Sequence, residues 1–239
     1  MKAGMDGRRE FLVTCEHGGN RIPARYRNSF VGHETLLQSH RGFDFGALDV
    51  AREMAQTLGA TLIFSTISRL LVDLNRSPAH PRLHAEWVRR LPESCRQRIL
   101  IDYYQPYRAR AEAAIMHALA SGKRVIHLSS HSFTPELDGV VRRADIGLLY
   151  DPSRSAESSW CARLKQLLAA RRPDLTIRKN YPYLGKTDGF TTALRKKWKG
   201  TVYLGIELEV NQRWPLGNRR AWRRLQEDIT EAIAEMISV

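Results

Sequence analysis

The sequence predicts an α/β protein in which helices cover a mainly parallel sheet. Apolar segments of strand length alternate along the chain with amphipathic segments of helix length. Such alternation is typical of strand–helix–strand units, whose strands run parallel. The chain has 239 residues, 43% of them hydrophobic, so it can bury a large core. Because no repeat, low-complexity tract or linker interrupts the pattern, we expect one domain over residues 1–239.

The period of the apolar residues places the elements in order. A strand over residues 11–15 precedes an amphipathic helix over residues 45–58. Pro106 can begin the next long helix and Gly122 can end it. The later helices are predicted over residues 106–120, 155–170 and 218–237, and the other strands over residues 61–67, 70–74, 125–129, 146–150, 175–178 and 202–210.

The composition favours a cytoplasmic enzyme with an anionic substrate. A formal net charge of +13 fits either such an enzyme or a nucleic-acid-binding protein. The basic residues form scattered pairs without a basic tail or a zinc-finger spacing, so we expect no nucleic-acid partner. No apolar run approaches the ~20 residues that span a bilayer, and the first residues lack a signal-peptide pattern. The three widely spaced cysteines argue against a disulfide framework, and the oligomeric state stays open.

Two histidines stand at the ends of predicted strands, where α/β proteins bind ligands. His17 lies in EHGGN and His131 in SSHS, beside small residues that leave room for a ligand. Either histidine alone is more often a hydrogen-bonded structural residue, but the pair favours a metal. A hydrolytic zinc ion typically has three protein ligands. The sequence therefore predicts a site for Zn²⁺ or another divalent metal.

The third ligand is expected in the segment SHRGFDFGAL. Asp44 is the first candidate and His40 the second. Asp44 precedes a predicted helix, so capping explains it equally well. Glu16 is a weaker candidate, because it would point to the opposite face if its strand continued.

The segment SRLLVDLNRS carries a candidate anion clamp. Asn75 and Arg76 follow an apolar run and should emerge beside the sheet, and Arg69 is a second candidate. A guanidinium binds a carboxylate through two parallel hydrogen bonds, and an amide adds a neutral donor. A turn with a surface arginine is the alternative.

Two carboxylates in YLGIELEVNQR are candidates for the general base. Glu207 and Glu209 are two residues apart and so share one face of a strand. An unpaired carboxylate in apolar surroundings is costly, and its pKa tends to rise. Pairing with arginines explains one of them more easily than both.

The loop over residues 179–195 could close over a small polar substrate. Tyr183, Asp188 and Arg195 would then determine specificity. A plain connecting loop is the alternative.

Seven segments, in order along the chain, resemble the N-formylglutamate amidohydrolase family. They are EHGGNRIP, HRGFDFGAL, SRLLVDLNRS, HLSSHSFTP, ADIGLLYDP, NYPYLGKTDG and GIELEVNQ, and they extend over nearly the whole chain. That family is similar to the zinc-carboxypeptidase-like hydrolases, which include aspartoacylase. The resemblance implies a three-layer α/β/α sandwich around a mixed, mainly parallel sheet.

The resemblance also implies roles for particular residues. In those relatives an H-x-x-E motif and a later histidine bind zinc. His17 and His131 match the histidines, Asn20 replaces the glutamate, and Asp44 is the expected substitute. Residues 73–76 match a D-L-N-R motif whose Asn and Arg bind the substrate carboxylate. The G-I-E strand selects Glu207 as the residue that activates water.

The reaction implied is metal-dependent hydrolysis of the N-acyl amide of a small acidic amino acid, with N-formyl-L-glutamate as the first candidate substrate. Arg142 or Arg143 in GVVRRADIG could stabilise the oxyanion or hold a second carboxylate. A peptidase-like hydrolase of peptide or cell-wall amides is the alternative on the same scaffold. A non-catalytic nucleic-acid-binding protein is the further alternative.

Overall fold

The computed structural model describes residues 9–236; the N-terminal residues 1–8 and the end of the predicted last helix, in residues 237–239, lie outside that range. The strands are β1 (Arg9–Cys15), β2 (Thr61–Phe64), β3 (Arg124–Phe133), β4 (Glu136–Leu137), β5 (Val140–Val141), β6 (Ile146–Leu149), β7 (Ile177–Lys179) and β8 (Tyr203–Asn211). The helices are α1 (Glu34–Leu37), α2 (Ala47–Leu58), α3 (Glu86–Arg89), α4 (Glu93–Ile99), α5 (Gln105–Ala120), α6 (Ser155–Arg171), α7 (Phe190–Lys197) and α8 (Arg219–Glu235). A 3-10 helix covers Ala24–Phe30, and a π-helical stretch over Leu100–Tyr104 joins α4 to α5.

The predicted mixed, mainly parallel sheet between helical layers is confirmed. Six strands form one sheet in the order β2-β1-β3-β8-β6-β7. Neighbouring strands are parallel except β6 and β8, which are antiparallel. Helices α2, α6 and α8 bury their apolar residues against one face, and α5 and α7 against the other. The two hydrophobic clusters thus separate three layers. Within residues 9–236 no helix is long and apolar enough to cross a membrane.

Residues 70–74 do not form the predicted strand. They turn, with the Leu71 N–H donating to the Ser68 carbonyl and the Asp73 N–H donating to the Leu83 carbonyl. Their apolar side chains fill the cluster that also buries α5. A short apolar run indicates burial more reliably than it indicates a strand, and here burial occurs in a loop.

Two glycines after β1 allow two backbone segments to approach closely. A Cβ on Gly18 would lie 2.9 Å from the Ser65 carbonyl oxygen, and one on Gly19 would lie 2.9 Å from the Thr66 carbonyl oxygen. The Arg21 N–H then donates to Thr66. The glycines therefore let the chain after β1 pack against the chain after β2.

Candidate active site

A cleft of about 860 Å³ lies at the carboxyl ends of the parallel strands β1, β3 and β8. This end of a parallel sheet is the usual ligand site, and the volume is typical of small-molecule sites. The predicted site residues that line the cleft are His17, Asp44, Arg69, Asn75, Arg76, His131, Tyr183, Asp188 and Glu207. His40, Asp73 and Glu209 line it as well.

His17, Asp44 and His131 converge at the buried end of this cleft. One ligand atom from each lies within 4.8 Å of the others. Asp44 Oδ2 is 3.4 Å from Nδ1 of His17 and 2.9 Å from Nδ1 of His131. The two imidazole centroids are 5.1 Å apart. Both histidines thus direct the same nitrogen, Nδ1, toward one carboxylate.

The strand pairing explains why residues so distant in sequence meet. Thr14 of β1 lies beside Ser129 of β3, so the turn after β1 brings His17 next to His131. His131 lies inside β3, which continues two residues further, and not after a strand as predicted. Asp44 belongs to the loop before α2 and does not cap that helix, whose N-cap is Gly46. Its carboxylate is free to contact the histidines.

Asp73 and Arg69 contact this group from one side through hydrogen bonds. Asp73 Oδ1 lies 2.7 Å from Nε2 of His17. The Arg69 guanidinium donates to Oδ1 of Asp44 over 3.1 Å and to Oδ2 of Asp73 over 2.9 Å. His17 therefore lies between two carboxylates that one arginine holds in place.

The electrostatics of this group suit a cation. Burial alone would raise the pKa of Asp44, but His17, His131 and Arg69 hold the pKa of this carboxyl well below its usual range. Burial also opposes charge on His131, yet Asp44 and Glu16 hold the pKa of that imidazole well above its usual range. The carboxylate is therefore ionised at neutral pH, and positive charge is favoured beside it. Two imidazole nitrogens and a carboxylate oxygen form a donor set that fits a divalent metal.

Glu16 contacts the group from the opposite side. The strand ends at Cys15, so Glu16 does not follow the alternation that predicts it on the far face. Its carboxylate is fully buried and accepts from the hydroxyls of Tyr107, over 2.8 Å, and Ser129, over 2.6 Å. Oε2 also lies 3.2 Å from Nε2 of His131. Each site histidine thus has a buried carboxylate behind its Nε2.

Glu207 and Glu209 lie in β8 on one face, as their spacing predicts, and both line the cleft. Glu207 Oε1 accepts a 2.5 Å hydrogen bond from the hydroxyl of Thr191 in α7. Glu209 is paired in register with His131, and its Oε2 is buried without a hydrogen-bond partner among the described residues. Burial, together with the carboxylates of Asp44 and Glu207, raises the pKa of Glu209 to about 7.

Asn75 is fixed by the first residue of α7, and Arg76 by the loop that precedes this helix. Asn75 Oδ1 accepts from the Phe190 N–H over 2.6 Å, which leaves Nδ2 facing His131 Nε2 at 3.4 Å. Arg76 donates to the Asp188 carbonyl over 3.0 Å, while the Asp188 carboxylate accepts from the N–H of Ser77. The predicted clamp and the predicted specificity loop therefore form one wall of the cleft.

Tyr183 is an exposed residue that lines the cleft, whereas Arg142 does not line it and contacts Tyr183. The Arg142 guanidinium donates to the Tyr183 hydroxyl over 3.0 Å and stacks 5.1 Å from the ring centroid. Burial first, and then nearby guanidinium groups that include Arg142, lower the pKa of His40, which lines the cleft. Arg143 is exposed.

Two residues discussed from the sequence, Arg195 and Asn20, do not line the cleft. The Arg195 guanidinium is enclosed, donating to the Glu157 carboxylate and to the Gly205 carbonyl. Asn20 donates to the carbonyl of Leu37 over 3.0 Å and is not part of the His–Asp–His group. The replacement of glutamate by asparagine in the first motif thus leaves Asp44 as the carboxylate of the group.

Comparison with known proteins assigns the chain. The sequence pattern of N-formylglutamate amidohydrolases matches residues 9–214, which include every residue of the site. The chain belongs to the N-formylglutamate amidohydrolase family. It is therefore an amidohydrolase, with an amide as the bond it cleaves.

Solved structures share the fold of this amidohydrolase. A gene product of Agrobacterium tumefaciens is 28% identical, with a TM-score of 0.76 over 97% of this chain and 92% of that one. An N-formylglutamate amidohydrolase from Ralstonia eutropha is 19% identical, with a TM-score of 0.72 over 99% of this chain and 97% of that one. At the latter identity the likeness establishes the fold alone. No curated protein matches the chain.

Sequence reasoning about the amidohydrolase missed three contacts that the structure supplies. The sequence offered a signal for the contact between Asp73 and His17, because Asp73 is the first residue of the D-L-N-R segment. The sequence offered no such signal for the contact of Thr191 with Glu207 or for that of Tyr107 with Glu16. Both come from helices whose distance to the sheet cannot be inferred from spacing.

Proposed function

We propose that this amidohydrolase cleaves the N-acyl amide of a small acidic amino acid, with N-formyl-L-glutamate as the leading candidate, and that it requires a divalent metal. The observation that carries the proposal is the convergence of His17, Asp44 and His131 beside Glu207 and Glu209 in one cleft. The products are formate and L-glutamate.

His17, Asp44 and His131 would hold the metal through Nδ1, Oδ2 and Nδ1. A Zn²⁺ ion there supplies Lewis acidity, which polarises the amide carbonyl and lowers the pKa of water. Arg69 keeps Asp44 and Asp73 in position, so we assign it a structural role rather than a contact with substrate.

Glu207 is the proposed general base. The hydrogen bond from Thr191 orients its carboxylate by one oxygen, which leaves Oε2 for the attacking water. As the C–O bond forms and the C–N bond breaks, Glu207 takes the water proton and passes it to the departing nitrogen. Glu209 lies one pleat further along the same face and is a second candidate for this role.

Asn75 and Arg76 would bind the carboxylate of the amino-acid part. Their neighbours Phe190 and Asp188 fix them without using the full donor capacity of the Arg76 guanidinium. Tyr183, which lines the cleft, and Arg142, which donates to the Tyr183 hydroxyl, would hold the second carboxylate of glutamate. An amide without these carboxylates would leave these charged donors unpaired and would bind less well.

Formate release from N-formyl-L-glutamate by purified protein, with and without a chelator, tests the proposal. We expect release that the chelator abolishes and that added Zn²⁺ restores. N-formyl-L-leucine is the matched control, because it lacks the side-chain carboxylate. Release that is insensitive to the chelator contradicts metal dependence, and an absence of release from every N-acyl amino acid contradicts the proposed reaction.

Hydrolysis of longer acidic peptides is a second candidate, which the size of the cleft favours. N-formylglutamate has about a dozen non-hydrogen atoms, whereas 860 Å³ is near the upper end for drug-sized ligands. The cleft continues past the clamp to Trp87 and Arg89. If peptides are the substrates, Trp87→Ala should lower kcat/KM for N-formyl-glutamyl-glutamate and spare N-formylglutamate. Equal effects on both substrates would reject this candidate.

A further inference from the structure

Glu16 is a buried charge without a part in the proposed reaction. Its side chain lies beneath the sheet end, fully enclosed, next to His131. A buried carboxylate is costly unless several donors satisfy it. Glu16 has three donors from two elements: Tyr107 of α5, and Ser129 and His131 of β3. The chain therefore keeps a carboxylate at a position where an apolar residue would not incur the desolvation cost of a buried charge.

The hydrogen bonds around His131 indicate which ring nitrogen would keep its proton beside a bound cation. Nε2 lies 3.0 Å from the Ser129 hydroxyl and 3.2 Å from Oε2 of Glu16. The Ser129 proton is already donated to Glu16, so both neighbours can only accept from Nε2. The Asn75 amide is a more distant neighbour at 3.4 Å. Nε2 therefore keeps its proton, whereas Nδ1, 2.9 Å from the Asp44 carboxylate, is the nitrogen that would exchange its proton for a cation.

We propose that Glu16 is a positioning residue that holds the His131 ring with Nε2 protonated and Nδ1 directed at the metal. The proposal rests on the metal site of the proposed function. Metal-bound histidines commonly donate their other nitrogen to a carboxylate, and the loss of that partner typically costs about 10- to 100-fold in metal affinity. Glu16 acts through His131 and touches neither metal nor substrate.

The network around Glu16 orients its carboxylate in turn. Tyr107 holds Oε1, and Ser129 holds Oε2 from beside the histidine. The Tyr107 hydroxyl also contacts the Ile63 carbonyl over 3.3 Å, which ties α5 to β2. Tyr107→Phe would release one oxygen of Glu16 and keep its charge, so we expect a smaller effect than from Glu16→Gln.

Metal affinity, measured by competition with a chromophoric zinc chelator, tests the proposal. We expect Glu16→Gln to weaken Zn²⁺ binding about 10- to 100-fold and Tyr107→Phe to weaken it a few-fold. Glu10→Gln is the matched control: it lies in β1, six residues away, where its carboxylate pairs with Lys123. It should leave the affinity unchanged. In ¹⁵N spectra of the zinc-loaded proteins, the Nε2–H signal of His131 should shift or broaden in Glu16→Gln alone.

The outcomes separate this proposal from a purely structural role. If Glu16→Gln lowers the melting temperature of the metal-free protein but leaves zinc affinity and the His131 signal unchanged, Glu16 serves only the fold and the proposal is wrong. If Glu16→Gln does not fold, an unchanged zinc affinity of Tyr107→Phe overturns it. Failure of the wild type to bind zinc overturns both this inference and the proposed metal dependence.

Discussion

Replacement of Glu209 by glutamine should stabilise the metal-free protein, and only at higher pH. The side chain is 5% exposed, and Oε2 has no hydrogen-bond partner among the described residues. Burial is the main reason that its pKa is raised from 4.5 to about 7, and the carboxylates of Asp44 and Glu207 add to it. The ionised form is therefore disfavoured in the folded state.

The sign and size of the effect follow from proton linkage. Between pH 4.5 and about 7, the folded protein holds a proton on Glu209 that the unfolded chain has lost, so the free energy of unfolding falls as the pH rises. At 1.36 kcal/mol per pH unit, the full cost above pH 7 is about 3 kcal/mol. Glutamine does not ionise and does not incur this cost. For a chain of this length, about 3 kcal/mol corresponds to roughly 6–12 °C in melting temperature.

Urea unfolding of the wild type and Glu209→Gln at pH 4.5, 6 and 8, in the presence of chelator, measures the difference. It should be near zero at pH 4.5 and grow to about 3 kcal/mol in favour of the variant at pH 8. Glu227→Gln, at an exposed position of α8, is the control and should stay within about 0.5 kcal/mol throughout. A difference that does not depend on pH, or a wild type more stable than the variant at pH 8, would refute the reasoning.

Three further predictions concern the site. His17→Ala removes one of the three metal donors, so elemental analysis should find little zinc retained after purification, and a zinc content equal to that of the wild type would exclude this histidine as a ligand. Glu207→Gln should retain zinc but lower kcat about 10²- to 10⁴-fold in the formate assay, and near-normal turnover would shift the general base to another carboxylate. Arg76→Ala should raise KM for N-formylglutamate about 10- to 100-fold, whereas the exposed Arg27→Ala should not, and equal KM values for the two variants would remove Arg76 from the clamp.

The two histidines near the carboxyl ends of parallel strands could be picked out from the sequence, although His131 lies inside β3 and not after it. His17 and His131 were recognisable because a polar, small-residue segment follows an apolar one, and parallel pairing brings such segments together. Asp44 could not be separated from a helix cap, since both interpretations place an aspartate before α2. The hydrogen bonds of its carboxylate favour a place in the His–Asp–His group.

Other features depend on information that the spacing of residues does not contain. The side of the sheet that Glu16 faces depends on where β1 ends. Because side chains alternate along a strand, moving that end by one residue would place Glu16 on the other side. Arg195 lies in a segment rich in hydrogen-bond donors that could bind a substrate. Its guanidinium instead pairs with the carboxylate of Glu157 in α6, 38 residues away. The apolar residues 70–74 indicated burial correctly and a strand incorrectly.

Asp73 joins two halves of the cleft through a single oxygen. Oδ1 contacts Nε2 of His17 and also accepts from the backbone N–H of Asn75. The same atom thus orients a histidine of the cation site and the first residue of the anion clamp. We expect metal binding to the histidines and substrate binding to the clamp each to raise the affinity for the other ligand. A substitution of Asp73 should therefore weaken both affinities.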